Sequence, residues 1–261
     1  QICYSILTDA QKSRFEATKE LDFSFGIKSM ARFRANLFFQ RGSVSGVFRR
    51  ISIDIPDIDT LGLPGIVNEV VTYPSGLVLV TGPTGSGKST TIAALIDKIN
   101  RENRGHIITL EDPIEYVHPH KSSIVNQREI GVDTVSYRSA LKHVLRQDPD
   151  VCMMGELRDL ETIDAAMNIC ETGHLVFATL HTNSAVSTIN RIVNVFPAEQ
   201  QDRVRTQLSL TLNAIICQRL IPALIGGQAV APEILMMSPN IRNLIREGKT
   251  HQVNNVMMTG K

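Results

Sequence analysis

Four cysteines, Cys3, Cys152, Cys170 and Cys217, stand far apart and form no CxxC pair. That spacing offers neither a structural zinc site nor a disulfide framework, and it fits a reducing compartment. No apolar run approaches the roughly 20 residues needed to cross a bilayer. The chain opens at Gln1 in a helix-like stretch without the basic start and apolar middle of a secretory signal. The expectation is a cytoplasmic protein, peripherally associated with a membrane, if at all, through a partner. An excess of one charge is lacking too: the formal net charge is +1, which disfavours disorder and a nucleic-acid-binding tail. Internal repeats and low-complexity segments are absent. An initiator methionine is also missing, and the start at Gln1-Ile2-Cys3 leads to the expectation that the first domain is incomplete.

What is there is a chain of 261 residues with 43% hydrophobic and 20% charged side chains, ample for a large domain with a smaller companion. Residues 4–17 read as a helix, and residues 22–26 and 32–40 alternate with the period of two expected of strands. The turn signal Arg41-Gly42-Ser43 leads into another strand-like run at 44–51, so a hairpin is expected. Pro56, Pro64 and Pro74, with Asp and Gly between them, mark residues 53–74 as linker between a domain at 1–52 and one at 75–261.

Beyond residue 75 short apolar runs alternate with amphipathic helices. Residues 77–80, 106–110, 151–154 and 174–178 read as buried strands, because continuous apolar runs suit a sheet covered on both faces. Ile92, Leu95 and Ile99 mark one helix, Ala140, Leu141, Val144 and Leu145 a second, and Leu160, Ile163, Met167 and Cys170 a third. The alternation predicts an α/β fold with a mostly parallel sheet. After His181 the expectation is mainly helix, with Val204, Leu208, Leu212 and Ile215 on one stripe and a last helix at 241–247.

Gly82-Pro83-Thr84-Gly85-Ser86-Gly87-Lys88-Ser89 satisfies G-x-x-x-x-G-K-[ST], after a predicted strand and at the start of a predicted helix. Glycines let the backbone close around phosphate oxygens, so that successive N–H groups and the helix N-terminus face the anion. Lys88 is placed to neutralise the β and γ phosphates of ATP and Ser89 to offer its hydroxyl to Mg²⁺. Such a loop needs carboxylates at the ends of neighbouring strands. Glu111 follows one strand and Glu156, after Gly155, follows another. His174 and His181 bracket the run 175–180; from the residues alone both read as structural, because no metal-binding cluster surrounds them.

Together these segments resemble a known family. The P-loop, the acidic box Ile108-Thr-Leu-Glu-Asp-Pro-Ile-Glu115, the atypical Walker B Gly155-Glu-Leu-Arg-Asp159 and the histidine box Gly173-His-Leu-Val-Phe-Ala-Thr-Leu-His-Thr182 resemble the signatures of type II/IV pilus secretion ATPases, in the same order. The likeness spans nearly the whole chain, including Glu20-Leu-Asp-Phe-Ser-Phe25, Ala31-Arg-Phe-Arg34 and Asn126-Gln-Arg-Glu129. Asn240-Ile-Arg-Asn-Leu-Ile-Arg-Glu-Gly-Lys249 is similar to the motif of the retraction branch, with Asn240 where alanine is usual.

The resemblance implies a RecA-like P-loop ATPase domain joined to a smaller, N-terminally truncated PAS-like α+β domain, in a homohexamer that powers pilus retraction and twitching motility from an inner-membrane platform protein. It implies nucleotide contacts along Gly82, Pro83, Thr84, Gly85, Ser86, Gly87, Lys88, Ser89 and Thr90, and Mg²⁺ at Ser89 and Glu156. Glu156 and Glu111 would orient water and metal, His181 and His174 would sense phosphate, and Arg34, Arg41 and Arg49 would approach the phosphates. Which of Glu156 and Glu111 is the principal base stays open at this point.

Three rivals are weaker. Pilus-assembly and type II secretion ATPases share the boxes but typically carry a tetracysteine zinc module, absent from this sequence. A DNA translocase would want a basic stripe, and no direct nucleic-acid contact is expected. A non-hydrolysing regulator has no need of both Lys88 and Glu156. On the last helix Ile241, Leu244 and Ile245 form an apolar stripe, and the segment, with Arg242 and Arg246 off the stripe, is expected to transmit nucleotide state to a partner.

Overall fold

The computed structural model describes residues 2–27, 31–51, 54–223 and 226–259. The remaining residues of the expected segments 1–52, 53–74 and 75–261 lie outside the described ones. Contacts divide the chain into two compact units, Gln1–Ile55 with Asp112–Val117, and Pro56–Glu111 with His118–Lys261.

The smaller unit begins with α1 (Ile2–Ser5) and α2 (Asp9–Thr18). The single helix expected at 4–17 is broken because Thr8 starts a new one: its hydroxyl accepts from the Gln11 N–H while its own N–H donates to Gln11 Oε1 at 2.9 Å. Lys19, with φ 66°, ends α2. The strands β1 (Glu20–Ile27), β2 (Ala31–Gln40) and β3 (Ser43–Ile51) form an antiparallel meander in that order. Arg41 and Gly42 both have positive φ, as a two-residue hairpin turn requires. Phe15 of α2 packs with Leu21, Phe23, Ala35 and Leu37 to make this unit's core.

The larger unit opens with 3-10 turns at Ile58–Thr60 and Gly65–Thr72, in the stretch expected as linker. Val67, Val70 and Val71 there are buried against the sheet's core. Then follow β4 (Gly76–Thr81), α3 (Lys88–Glu102), β5 (His106–Glu111), β6 (Ile124–Glu129), α4 (Tyr137–Val144), β7 (Val151–Glu156), α5 (Leu160–Glu171) and β8 (Leu175–Leu180). The chain continues with α6 (Ala185–Asn194), α7 (Gln201–Thr211), β9 (Leu212–Pro222), β10 (Gln228–Met236), α8 (Pro239–Arg246) and α9 (Val253–Thr259). The sheet order is β10-β9-β4-β8-β7-β5-β6, parallel throughout except for β10, which runs against β9.

Alternation within each strand sorts the apolar runs onto two faces. Val78 and Val80 join Ile92, Leu95 and Ile99 of α3, while Leu77 and Leu79 join residues from α4 to α8. The result is a RecA-like α/β layer arrangement, with parallel strands delivering their C-terminal ends to one edge.

The expectation of mainly helix after His181 is corrected here, because β9 and β10 extend the sheet. Leu212 and Ile215 are strand residues, not partners of Val204 and Leu208 on a helix. A short apolar run buried on both faces carries no period that separates helix from strand, and the free edge of β4 decides it.

On α8 the stripe Ile241, Leu244 and Ile245 is buried. Arg242 folds back on its own unit, donating to Ser209 O at 2.6 Å, Leu210 O at 3.1 Å and Asn213 Oδ1 at 3.3 Å. Arg246 is exposed.

Candidate functional site

The loop between β4 and α3 turns on glycines with φ of 140° at Gly82, 78° at Gly85 and 87° at Gly87. Gly82 cannot carry a side chain, since a Cβ there would overlap the Gln218 carbonyl of β9. Pro83, Thr84 and Gly85 form the exposed mouth, Ser86 and Lys88 are buried, and Ser89 and Thr90 are half-buried at the start of α3. Gly87 caps α3 without a side chain. The helix therefore opens without a side-chain cap and turns its positive dipole end towards the loop, a ready-made anion site.

Lys88 Nζ donates to Gly82 O at 2.8 Å and Pro83 O at 3.0 Å, and lies 3.4 Å from His181 Nδ1. Because an ammonium only donates, His181 Nδ1 accepts and the ring proton sits on Nε2. That nitrogen is 3.2 Å from Glu156 Oε1, and Glu156 Oε2 accepts from Arg158 Nε at 2.9 Å. Lys88, His181, Glu156 and Arg158 thus form one line from the phosphate loop to the end of β7.

The placement of Glu156 has a local cause. Pairing between β7 and β8 slips between Met154 and Glu156, while Thr179 Oγ1 donates to Gly155 O at 2.5 Å. The irregularity at Gly155 re-aims the residue after it, as bulges beside sites do.

Glu111, at the end of β5, is 5% exposed and accepts from Thr109 Oγ1 at 2.6 Å and Gln127 Nε2 at 3.0 Å. It stands at the same edge of the sheet but outside the Lys88–His181–Glu156 line.

His174 is not brought to this site. It precedes β8 while His181 follows it, which separates the two by on the order of 20 Å at about 3.3 Å per residue. His174 Nδ1 instead lies 3.1 Å from Ile169 O at the end of α5. Arg34 and Arg49 are register partners across β2 and β3, and Arg41 is in the turn between them; all three are exposed in the smaller unit.

Two features had no role assigned from the sequence. Arg158 is a neighbour of Glu156 in sequence, yet only the structure shows its grip on the carboxylate. Gln218 reaches the loop from the far side of β4, and its signal was hidden in a segment expected to be helical.

Thiol chemistry is remote from the site's design. Burial pushes the Cys152 thiol up to about 12 and raises those of Cys170 and Cys217 as well. Among the described residues no three His, Cys, Asp or Glu side chains cluster as a metal cage, and no helix is long and apolar enough to cross a membrane.

Comparison with known proteins matches the geometry. The family model described as "Type II/IV secretion system protein" covers residues 51–260. A type IV pilus retraction ATPase, PilT of Pseudomonas aeruginosa, is 49% identical over 99% of this chain and 75% of its own length. A twitching motility protein of Neisseria gonorrhoeae is 48% identical over 98% of this chain and 69% of its own. A crystal structure of the pilus retraction motor PilT with bound ADP superposes at a TM-score of 0.96, with 54% identity, over 98% of this chain and 75% of that one. The chain belongs to the family of type II/IV secretion system proteins, as one of its nucleotide-using P-loop ATPases.

Proposed function

We propose that this protein is a homohexameric motor that hydrolyses ATP with Mg²⁺ to retract type IV pili and drive twitching motility. It works at the cytoplasmic side of the inner membrane, docked on a platform protein of the pilus machine. The observation that carries the reading is the line Lys88–His181–Glu156, which joins a phosphate loop to a carboxylate through one imidazole. The likeness to retraction ATPases over nearly the whole chain supports the direction of the work.

In this reading residues 82–90 hold the phosphates and Glu156 is the principal base for the attacking water. His181 senses the terminal phosphate from its place between Lys88 and Glu156. Glu111, held by Thr109 and Gln127, orients the site beside it. Mg²⁺ fits the donors at hand: a Ser89 hydroxyl and a Glu156 carboxylate are hard oxygen ligands. Mg²⁺ bound chiefly by phosphates and water needs no larger protein cage. The metal, when bound, would neutralise charge on the transferring phosphoryl group. Arg34, Arg41 and Arg49 of a PAS-like domain would complete the charge from a different subunit.

The test is specific ATPase activity against protein concentration, read beside the oligomeric state. Activity that rises with ring formation supports the motor. A flat profile extending into a demonstrably monomeric range contradicts it, and a several-fold, salt-sensitive stimulation by DNA would indicate a translocase instead.

A further inference from the structure

The phosphate loop is braced from behind by a residue that none of its motifs contains. β9 runs parallel to β4 with Cys217 opposite Thr81, so Gln218 stands beside Gly82 just beyond the strand's end. Gln218 is 2% exposed. Its Nε2 donates to Ser86 O at 2.6 Å, its carbonyl fills the space where a Gly82 Cβ would go, and a Cβ on Gly87 would lie 3.1 Å from that Nε2. One residue therefore meets the loop at its beginning and its end.

The Ser86 carbonyl has a consequence for the next N–H. In a trans peptide the C=O of one residue and the N–H of the next lie in one plane and point in opposite directions. With Ser86 C=O held inward on Gln218, the Gly87 N–H is aimed outward, away from Gln218. That is the side on which a phosphate must lie to meet the helix N-terminus.

We infer that Gln218 is a positioning residue for the nucleotide phosphates, acting through the Ser86–Gly87 peptide without touching nucleotide. A purely space-filling role explains less, because Gln218 Oε1 is buried with no partner among the described residues. An apolar side chain of equal length would fill the same space without that desolvation cost. The inference rests on the ATPase reading and deepens it. A fixed N–H serves bound ATP and the transition state alike, so its loss should appear in KM and not in kcat.

The experiment uses Gln218→Met in the full chain, since methionine keeps length and packing but cannot donate. The readouts are kcat and KM for ATP, the Kd of a fluorescent ADP analogue, and the melting temperature. KM and Kd should rise on the order of tenfold while kcat stays within about threefold and the melting temperature holds. Unchanged KM and Kd would overturn the inference, and so would a joint fall in kcat and melting temperature at constant Kd. If that variant does not fold, Gln218→Glu replaces it. A carboxylate of the same length cannot donate to Ser86 O, and it brings negative charge towards the phosphates, so the loss of affinity should be larger. A wild-type protein that binds nucleotide but never hydrolyses it would fault the ATPase reading, while the Kd comparison would still decide for or against Gln218.

Discussion

Arg242→Ala should destabilise the larger unit, and the size of the effect follows from what the side chain holds. Its guanidinium donates to Ser209 O and Leu210 O, in the last turn of α7, and to Asn213 Oδ1 at the start of β9. The final carbonyls of a helix have no intrahelical partner, and a cation there also suits the helix dipole. Burial pulls the Arg242 pKa below its usual value, the mark of a charge held partly out of water. Hydrogen bonds to charged groups contribute about 1.5–3 kcal/mol each, and contacts shared by one fork do not add in full. The variant should therefore lose about 3 kcal/mol, which for a unit of this size lowers the melting temperature by about 6–12 °C. Arg246, exposed on the same helix, should change stability by no more than about 0.5 kcal/mol when replaced by alanine. Urea unfolding of both variants beside the wild type reads the difference as a shift in midpoint at constant slope. Equal midpoints for all three would exclude a structural role for Arg242. They would also return Arg242 to the role of a signalling residue free of structural duty, as the sequence pattern suggests.

The carboxylates and one histidine give two more tests. Glu156→Gln should keep ATP binding but lower kcat on the order of 100-fold, with Glu111→Gln less damaging; the reverse order, measured by phosphate release, would exchange their roles. His118 is buried and its pKa is pulled down to about 4 by desolvation. The unfolded chain therefore binds the extra proton between its ordinary value of about 6.5 and about 4, so stability should fall by up to roughly 3 kcal/mol as pH drops through that window. Denaturant midpoints of wild type and His118→Gln at pH 7 and pH 4 check this, and an equal acid loss in both would contradict it.

The RecA-like core was legible because its strands announce themselves as apolar runs ending in motif residues. Val78 and Val80 go to one face and Leu77 and Leu79 to the other, which is why no amphipathic alternation marks β4. The same property hid β9: Leu212 and Ile215–Cys217 carry no strand period, and they follow a true helix without a glycine or proline between. The Thr8–Gln11 capping box was readable but lay inside a stretch whose periodicity ran past it.

At the site, Lys88 and Glu156 were legible as residues that each follow their own strand, and the structure joins both to His181. The separation of His174 from His181 needed only the direction of β8, but a shared motif invited both to the phosphates. Gln218 and Arg242 act across more than 20 positions of sequence, through pairings that depend on sheet order, and single-sequence patterns carry no record of that order.

Lys88 is the residue on which ATP hydrolysis at this loop should depend most. The most direct measurement is steady-state phosphate release from ATP by the wild-type protein and by Lys88→Ala, at a concentration where both have been checked for assembly. The wild type should turn over ATP and the variant should lose on the order of 100-fold or more; wild-type turnover by Lys88→Ala would rule out the assigned role of the lysine.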